Sequence, residues 1–186
     1  MPVSIQPACF PQDFEIIQTL FSGYAASLGI DLTFQSFQAE LDDLPGKYEE
    51  SHGGAILLAR THSDDLELPN MQPLSSSTNT VAESATPQPV SVLGCVALRQ
   101  SSDNWCEMKR LFVLPEARGL HLGDQLVITI LERARALGYR GIRLDTLPNM
   151  TAALRLYRRH GFIEIEAYYE TPIDNTIFMG CEFSQL

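Results

Sequence analysis

The sequence lacks most of the features that would place the chain in a membrane, in an oxidising compartment or around a metal. No run of about 18 apolar residues occurs, so no transmembrane helix is expected. The opening residues Met1, Pro2, Val3 and Ser4 carry neither the basic nor the apolar segment of a secretion signal, and a cytoplasmic location is the expectation. Only four cysteines are present, Cys9, Cys95, Cys106 and Cys181, and no two form a C-x-x-C pair. They read as reduced thiols in the core or in strands, with no zinc framework. His52, His62, His121 and His160 are equally scattered, so no metal site is expected. Neither G-x-G-x-x-G nor a G-K-[ST] loop occurs, which excludes the dinucleotide fingerprint and the P-loop.

Basic residues are the minority. The 13 Lys and Arg stand against 23 Asp and Glu, a net charge of −10, which argues against a nucleic-acid partner. Ten of the thirteen fall between 107 and 160, where only Glu107, Glu116, Asp124, Glu132 and Asp145 oppose them. That stretch is near +5 and the remainder near −15. A positive segment suits a polyanionic cofactor, and an acidic remainder suits a cationic amine. The 186 residues, 45% of them hydrophobic, have a mean hydropathy of −0.04 and suffice for one buried core. A single domain spanning residues 1–186 is the expectation.

The stretch from 113 to 124, V-L-P-E-A-R-G-L-H-L-G-D, runs from the end of an apolar strand into a long amphipathic helix. Gly119 and Gly123 let the backbone curl, so that successive N–H groups and a helix N-terminus can face one anion. Leu126, Val127, Ile130, Leu131, Ala134 and Leu137 then give that helix a buried stripe, and Gly138 ends it.

This stretch resembles the R-x-x-G-x-[GA] turn of the GNAT superfamily of acyl-CoA-dependent N-acetyltransferases. The strand E-M-K-R-L-F-V at 107–113, the strand G-I-R-L-D-T at 141–146, the helix opening near Asn149 and the L-Y-R-R-H-G-F segment at 156–162 agree with it in order. One position departs: His121 stands where the family usually has its middle glycine. If φ is positive there, a non-glycine residue costs on the order of 1 kcal/mol.

The remaining elements follow from periodicity. A strand is expected at 3–6, and a helix with Phe14, Ile17, Leu20 or Phe21, Tyr24 and Leu28 on one face, ended by Gly29. A second helix is expected from about Thr33 to Pro45, carrying Phe34, Phe37 and Leu41. Strands at 55–59 and 90–98 form a hairpin interrupted by a low-complexity insertion at 63–89, rich in Ser, Thr, Pro and Asn. Strands at 105–113 and 141–146, a helix over 149–160 capped by Asn149, and a closing hairpin of 162–169 with 176–183 complete the chain. The result is an α+β fold: a mixed, mostly antiparallel sheet of six to seven strands flanked by about four helices.

The resemblance implies acetyl-CoA as co-substrate and assigns roles. Arg118, Gly119, Leu120, His121, Leu122, Gly123 and Asp124 would cradle its pyrophosphate. The backbone of Leu111, Phe112 and Val113 would pair with the pantetheine arm and face the thioester oxygen, and Asn149 and Ala152 would contact the same arm. Tyr157, a phenol protonated at neutral pH, would lie beside the sulfur as general acid. Glu107 would be the general base, with Asp145 as the alternative base or ammonium ligand; a structural role for Glu107, as an exposed strand residue or a partner of Arg143, stays open. Some of Phe21, Tyr24, Phe34 and Phe37 would wall the acceptor, with Tyr168, Tyr169 and Pro172 opposite. The expected acceptor is a small-molecule amine or amino acid attacked directly in a ternary complex, by a protein with no membrane partner and a homodimer as its candidate assembly. The alternative is a GNAT-like domain that binds acyl-CoA without turnover.

Overall fold

The computed structural model describes residues 2–30, 36–61 and 91–183. The insertion expected at 63–89 and the position of Phe34 lie outside the described residues. In chain order the elements are β1 (Val3–Pro7), α1 (Phe14–Leu28), α2 (Phe37–Asp42), β2 (Ala55–Thr61), β3 (Val92–Gln100), β4 (Trp105–Val113), α3 (Leu122–Ala136), β5 (Gly141–Thr146), α4 (Thr151–Arg159), β6 (Ile163–Glu164) and β7 (Ile177–Glu182). The strands form one sheet in the order β1-β2-β3-β4-β5-β7-β6. Only the β4–β5 neighbours are parallel. The fold is α+β, as the element order predicts.

Two apolar layers sandwich the sheet. On one face the α3 stripe, with Leu126, Val127, Ile130 and Ala134 all at 0% exposure, packs with Leu98, Met108 and Ile142 and with Leu154 and Tyr157 of α4. On the other face Ile17, Leu20 and Phe21 of α1 pack with Leu41, Tyr48, Ala97 and Phe112. Gly29 ends α1 at φ 65, the left-handed conformation that glycine reaches without a Cβ clash.

Three boundaries differ from the sequence expectation. The helix expected from about Thr33 to Pro45 is the shorter α2, Phe37–Asp42, preceded by Ser36 at φ 54. The helix expected from Asn149 opens at Thr151, and Asn149 is not its cap. Pro148 precedes it, and the Met150 N–H donates to the Leu147 carbonyl at 3.0 Å, so residues 147–150 form a turn of the kind proline favours at its second position. The strand expected at 162–169 pairs only at Ile163 and Glu164. Past Ile165 the chain leaves the ladder because Tyr168 and Tyr169 each pack edge-on against Phe178, with centroids 5.2 Å apart.

Candidate active site

β4 and β5 are paired only at their start, Trp105 with Gly141, Cys106 with Ile142 and Glu107 with Arg143. Beyond that point β4 stays on β3 as far as Val113 opposite Gly94, and β5 stays on β7 as far as Thr146 opposite Ile177. A gap therefore opens inside the sheet. Its cause lies in β4, where Lys109 faces Ala97 but Phe112 faces Cys95: three steps along β4 match two along β3, a bulge centred on Arg110 at φ 59. The extra residue reverses the alternation, so Met108 joins the α3 layer while Phe112 joins the α1 layer.

Arg110 is held in that conformation by a buried network. Its guanidinium pairs with Glu40 of α2, Nε to Oε1 at 2.8 Å and Nη2 to Oε2 at 3.1 Å, and lies 5.0 Å from the Phe37 ring. The Tyr48 hydroxyl donates to Glu40 Oε1 at 2.9 Å, and Lys47 Nζ reaches Oε2 at 2.6 Å. Burial alone would raise the Glu40 pKa. The hydrogen bond and charge of Arg110, aided by Lys47, outweigh it and hold the carboxyl at about 2.

At the wide end of the gap lies a cleft of about 550 Å³. Its floor turns through Gly119 at φ 89 and His121 at φ 57 into α3. Among the described residues, the N–H groups of Gly119, Leu120 and His121 donate no hydrogen bond, and those of Leu122, Gly123 and Asp124 form the first turn of α3, where no intrahelical acceptor exists. Six consecutive amides are thus unengaged beside a helix N-terminus and the exposed guanidinium-bearing Arg118. This arrangement fits a diphosphate.

Tyr157 of α4 lies in the buried layer beneath the gap. Its ring packs on Phe162, centroids 5.7 Å apart, and among the described residues its hydroxyl has no hydrogen-bond partner. Burial first, then Tyr24 and Asp145 from the opposite face, push its pKa well above the ordinary phenol value, so the proton stays on. Asp145 accepts from Lys109 Nζ through Oδ1 at 2.9 Å and borders a small second pocket with Tyr24, Arg110, Thr171 and Thr176. Glu107 is 2% exposed and fully occupied: Arg99 Nε and Nη2 lie 2.6 and 2.5 Å from Oε2, while the Tyr168 hydroxyl donates to Oε1 at 3.0 Å and Lys109 stands 3.6 Å from it.

The model of the acetyltransferase (GNAT) family matches residues 57–162, more than half of the chain. This chain belongs to the GNAT family. An uncharacterized N-acetyltransferase of Schizosaccharomyces pombe is 35% identical over 184 residues, covering 98% of this chain and 96% of that one. A second, from Dictyostelium discoideum, is 30% identical over 197 residues, covering 87% and 90%. A GNAT-family acetyltransferase of Staphylococcus aureus shares the fold at a TM-score of 0.69 with 18% identity, over 97% of this chain and 99% of that one. The protein is therefore a GNAT N-acetyltransferase, an acyltransferase of a family that uses acetyl-CoA. No helix among the described residues is long and apolar enough to cross a membrane.

Of the residues that the GNAT resemblance assigns to the cofactor, Leu111, Phe112, Val113, Arg118, Gly119, His121, Leu122, Gly123, Asp124, Asn149 and Ala152 line this cleft. Leu120 does not; its side chain is 54% exposed, and only its amide belongs to the cradle. Tyr157 sits beneath the cleft rather than in its wall, 7% exposed. Asn149 precedes α4, so it and Tyr157 do not share one helix. Glu107 pairs with Arg99 and not with Arg143, whose guanidinium meets the hydroxyls of Ser101 and Ser102 and lies 4.0 Å from the Tyr168 ring. Of the four aromatics, Phe21 is plain core at 0% exposure and Phe37 packs on Arg110, whereas Tyr24 lines both the cleft and the second pocket. The bulge at Arg110 was not read from the sequence; its local sign is the pair of consecutive basic residues, Lys109 and Arg110, inside an apolar strand.

Proposed function

We propose that this GNAT enzyme transfers the acetyl group of acetyl-CoA to the primary amine of a small molecule or amino acid by direct attack in a ternary complex. What carries the reading is a coincidence along one gap: six unengaged amides, the edge of β4 that β5 leaves unpaired at 111–113, and the unengaged Tyr157 hydroxyl. The amides and Arg118 would bind the diphosphate. The backbone of Leu111 to Val113 would hold the pantetheine chain as a neighbouring strand does and offer an N–H to the thioester oxygen.

In the transfer the amine nitrogen bonds to the carbonyl carbon, the C–S bond breaks, the nitrogen loses a proton and the sulfur gains one. Tyr157 supplies the sulfur's proton, and its raised pKa keeps it charged with that proton at any physiological pH. Asp145 is a better receiver of the amine's proton than Glu107: Lys109 donates to its Oδ1 and the Tyr169 hydroxyl stands beside it, but it borders the second pocket, whereas Glu107 is buried with donors on both of its oxygens. Glu107 then serves to orient Tyr168 and Lys109.

Thermal unfolding with acetyl-CoA, free CoA and ATP tests the cleft, since saturation at 100 times Kd adds about 2.7 kcal/mol. A shift with both CoA forms and none with ATP supports it. Thiol release is then screened across primary amines. Binding without release for any amine would make the protein an acyl-CoA-binding module instead of an enzyme on these substrates, and no shift at all would remove the cradle assignment.

A further inference from the structure

Asp124 is the only acidic side chain among the described residues that line the cleft, and its position is awkward for an anion site. It is the third residue of α3. A carboxylate in the first turn of a helix competes with a phosphate for the same N–H groups and repels it. Here both of its oxygens are engaged from the side by the end of α4. Arg159 Nη2 donates to Oδ1 at 2.8 Å and to Oδ2 at 2.9 Å, and His160 Nε2 lies 2.9 Å from Oδ1. Neither Arg159 nor His160 lines the cleft. The neighbouring cation, Arg158, is spent on Glu164 at 2.7 Å.

We propose that Arg159 and His160 are positioning residues for the acyl donor: they draw Asp124 away from the α3 N-terminus and neutralise it, leaving the cradle amides to the diphosphate. The inference rests on the reading of the cleft as the CoA site. It explains how a carboxylate is compatible with the cradle, and it ties the helix that would hold the cofactor to the helix that carries Tyr157.

Calorimetric titration of free CoA into the wild type, Arg159→Ala, Asp124→Asn and the double variant tests it, at low and at high ionic strength. Arg159→Ala weakens binding about five- to tenfold at low salt, with a smaller loss at high salt, because a freed Asp124 then faces the phosphates. Adding Asp124→Asn abolishes that loss, so the double variant binds as Asp124→Asn alone does. His160→Gln, which keeps a donor, weakens binding less than Arg159→Ala. Unaltered affinity in Arg159→Ala overturns the proposal. So does a double variant as weak as Arg159→Ala, which would mean that Arg159 touches the phosphates itself. A wild type that binds no CoA fails before any variant is compared, and that failure belongs to the reading of the cleft. Equal melting temperatures of the unliganded variants separate charge masking from loss of fold.

Discussion

Arg110 and Glu40 join the bulge of β4 to α2 through two parallel hydrogen bonds between side chains that are 1% and 2% exposed. The pair is separated by 70 residues in sequence, and it fixes the strand just before the backbone that faces the cleft.

Removing one partner leaves the other charge buried, so Glu40→Ala destabilises by about 3 to 5 kcal/mol, while Glu40→Leu with Arg110→Met loses less than the sum of the single changes. Urea unfolding measures both. The pH dependence has a definite sign. The Glu40 carboxyl stands at about 2 in the folded protein against an ordinary 4.5, so its contribution is complete above pH 4.5 and disappears as the pH falls from about 4.5 towards 2. That contribution is about 3 kcal/mol, and Glu40→Gln flattens this part of the acid-unfolding curve.

Tyr157→Phe removes a proton donor and little packing. It lowers kcat at least tenfold, by the usual size of a general-acid contribution of about 10² or more, with the Kd for CoA unchanged. Because burial raises the phenol's pKa, the wild-type kcat has no alkaline decline below pH 10 that Tyr157→Phe removes. Equal turnover in the variant would take Tyr157 out of the chemistry.

His121 occupies φ 57 in the turn of the cradle, a conformation costing a non-glycine residue about 1 kcal/mol. His121→Gly relieves that strain and adds flexibility to the unfolded chain, so the melting temperature moves by no more than about 2 °C and CoA binds as tightly or more tightly. Loss of binding would show that the imidazole itself contributes.

The hairpin that carries residues 63–89 is clamped at its base: the Thr61 N–H donates to the Ser91 carbonyl at 2.9 Å, the Ser91 N–H donates to Thr61 Oγ1 at 3.0 Å, and Arg60 faces Val92. Joining the two strands with a short turn in place of 63–89 lowers the melting temperature by less than about 4 °C, since shortening a loop costs little in chain entropy. An unfolded product would assign the segment to the core.

The element order was legible because each element carries its own period: the α3 stripe repeats every three to four residues, and β5 alternates Ile142 and Leu144 with Arg143 and Asp145. The cradle was legible because its glycines and the following stripe are adjacent in sequence. The bulge was not, since its register depends on β3 as well as β4, and the side chain that holds Arg110 comes from α2. The same reason explains Glu107. A carboxylate alternating with apolar residues reads as available, and only the three-dimensional meeting of Arg99, Tyr168 and Lys109 shows both of its oxygens taken. Asn149 misled through its residue type, a good helix cap whose preceding proline built a turn instead.

Most sheets expose their unpaired backbone along an outer margin, where another chain can copy the pattern and start an aggregate. Here part of β4 is unpaired in the interior of the sheet, flanked on one side by β3 and on the other by β5 with β7 behind it. A slot of that kind is closed to a foreign sheet, because β5 and β7 already occupy that side. That stretch of strand keeps its backbone groups unpaired without presenting them as a template for self-association.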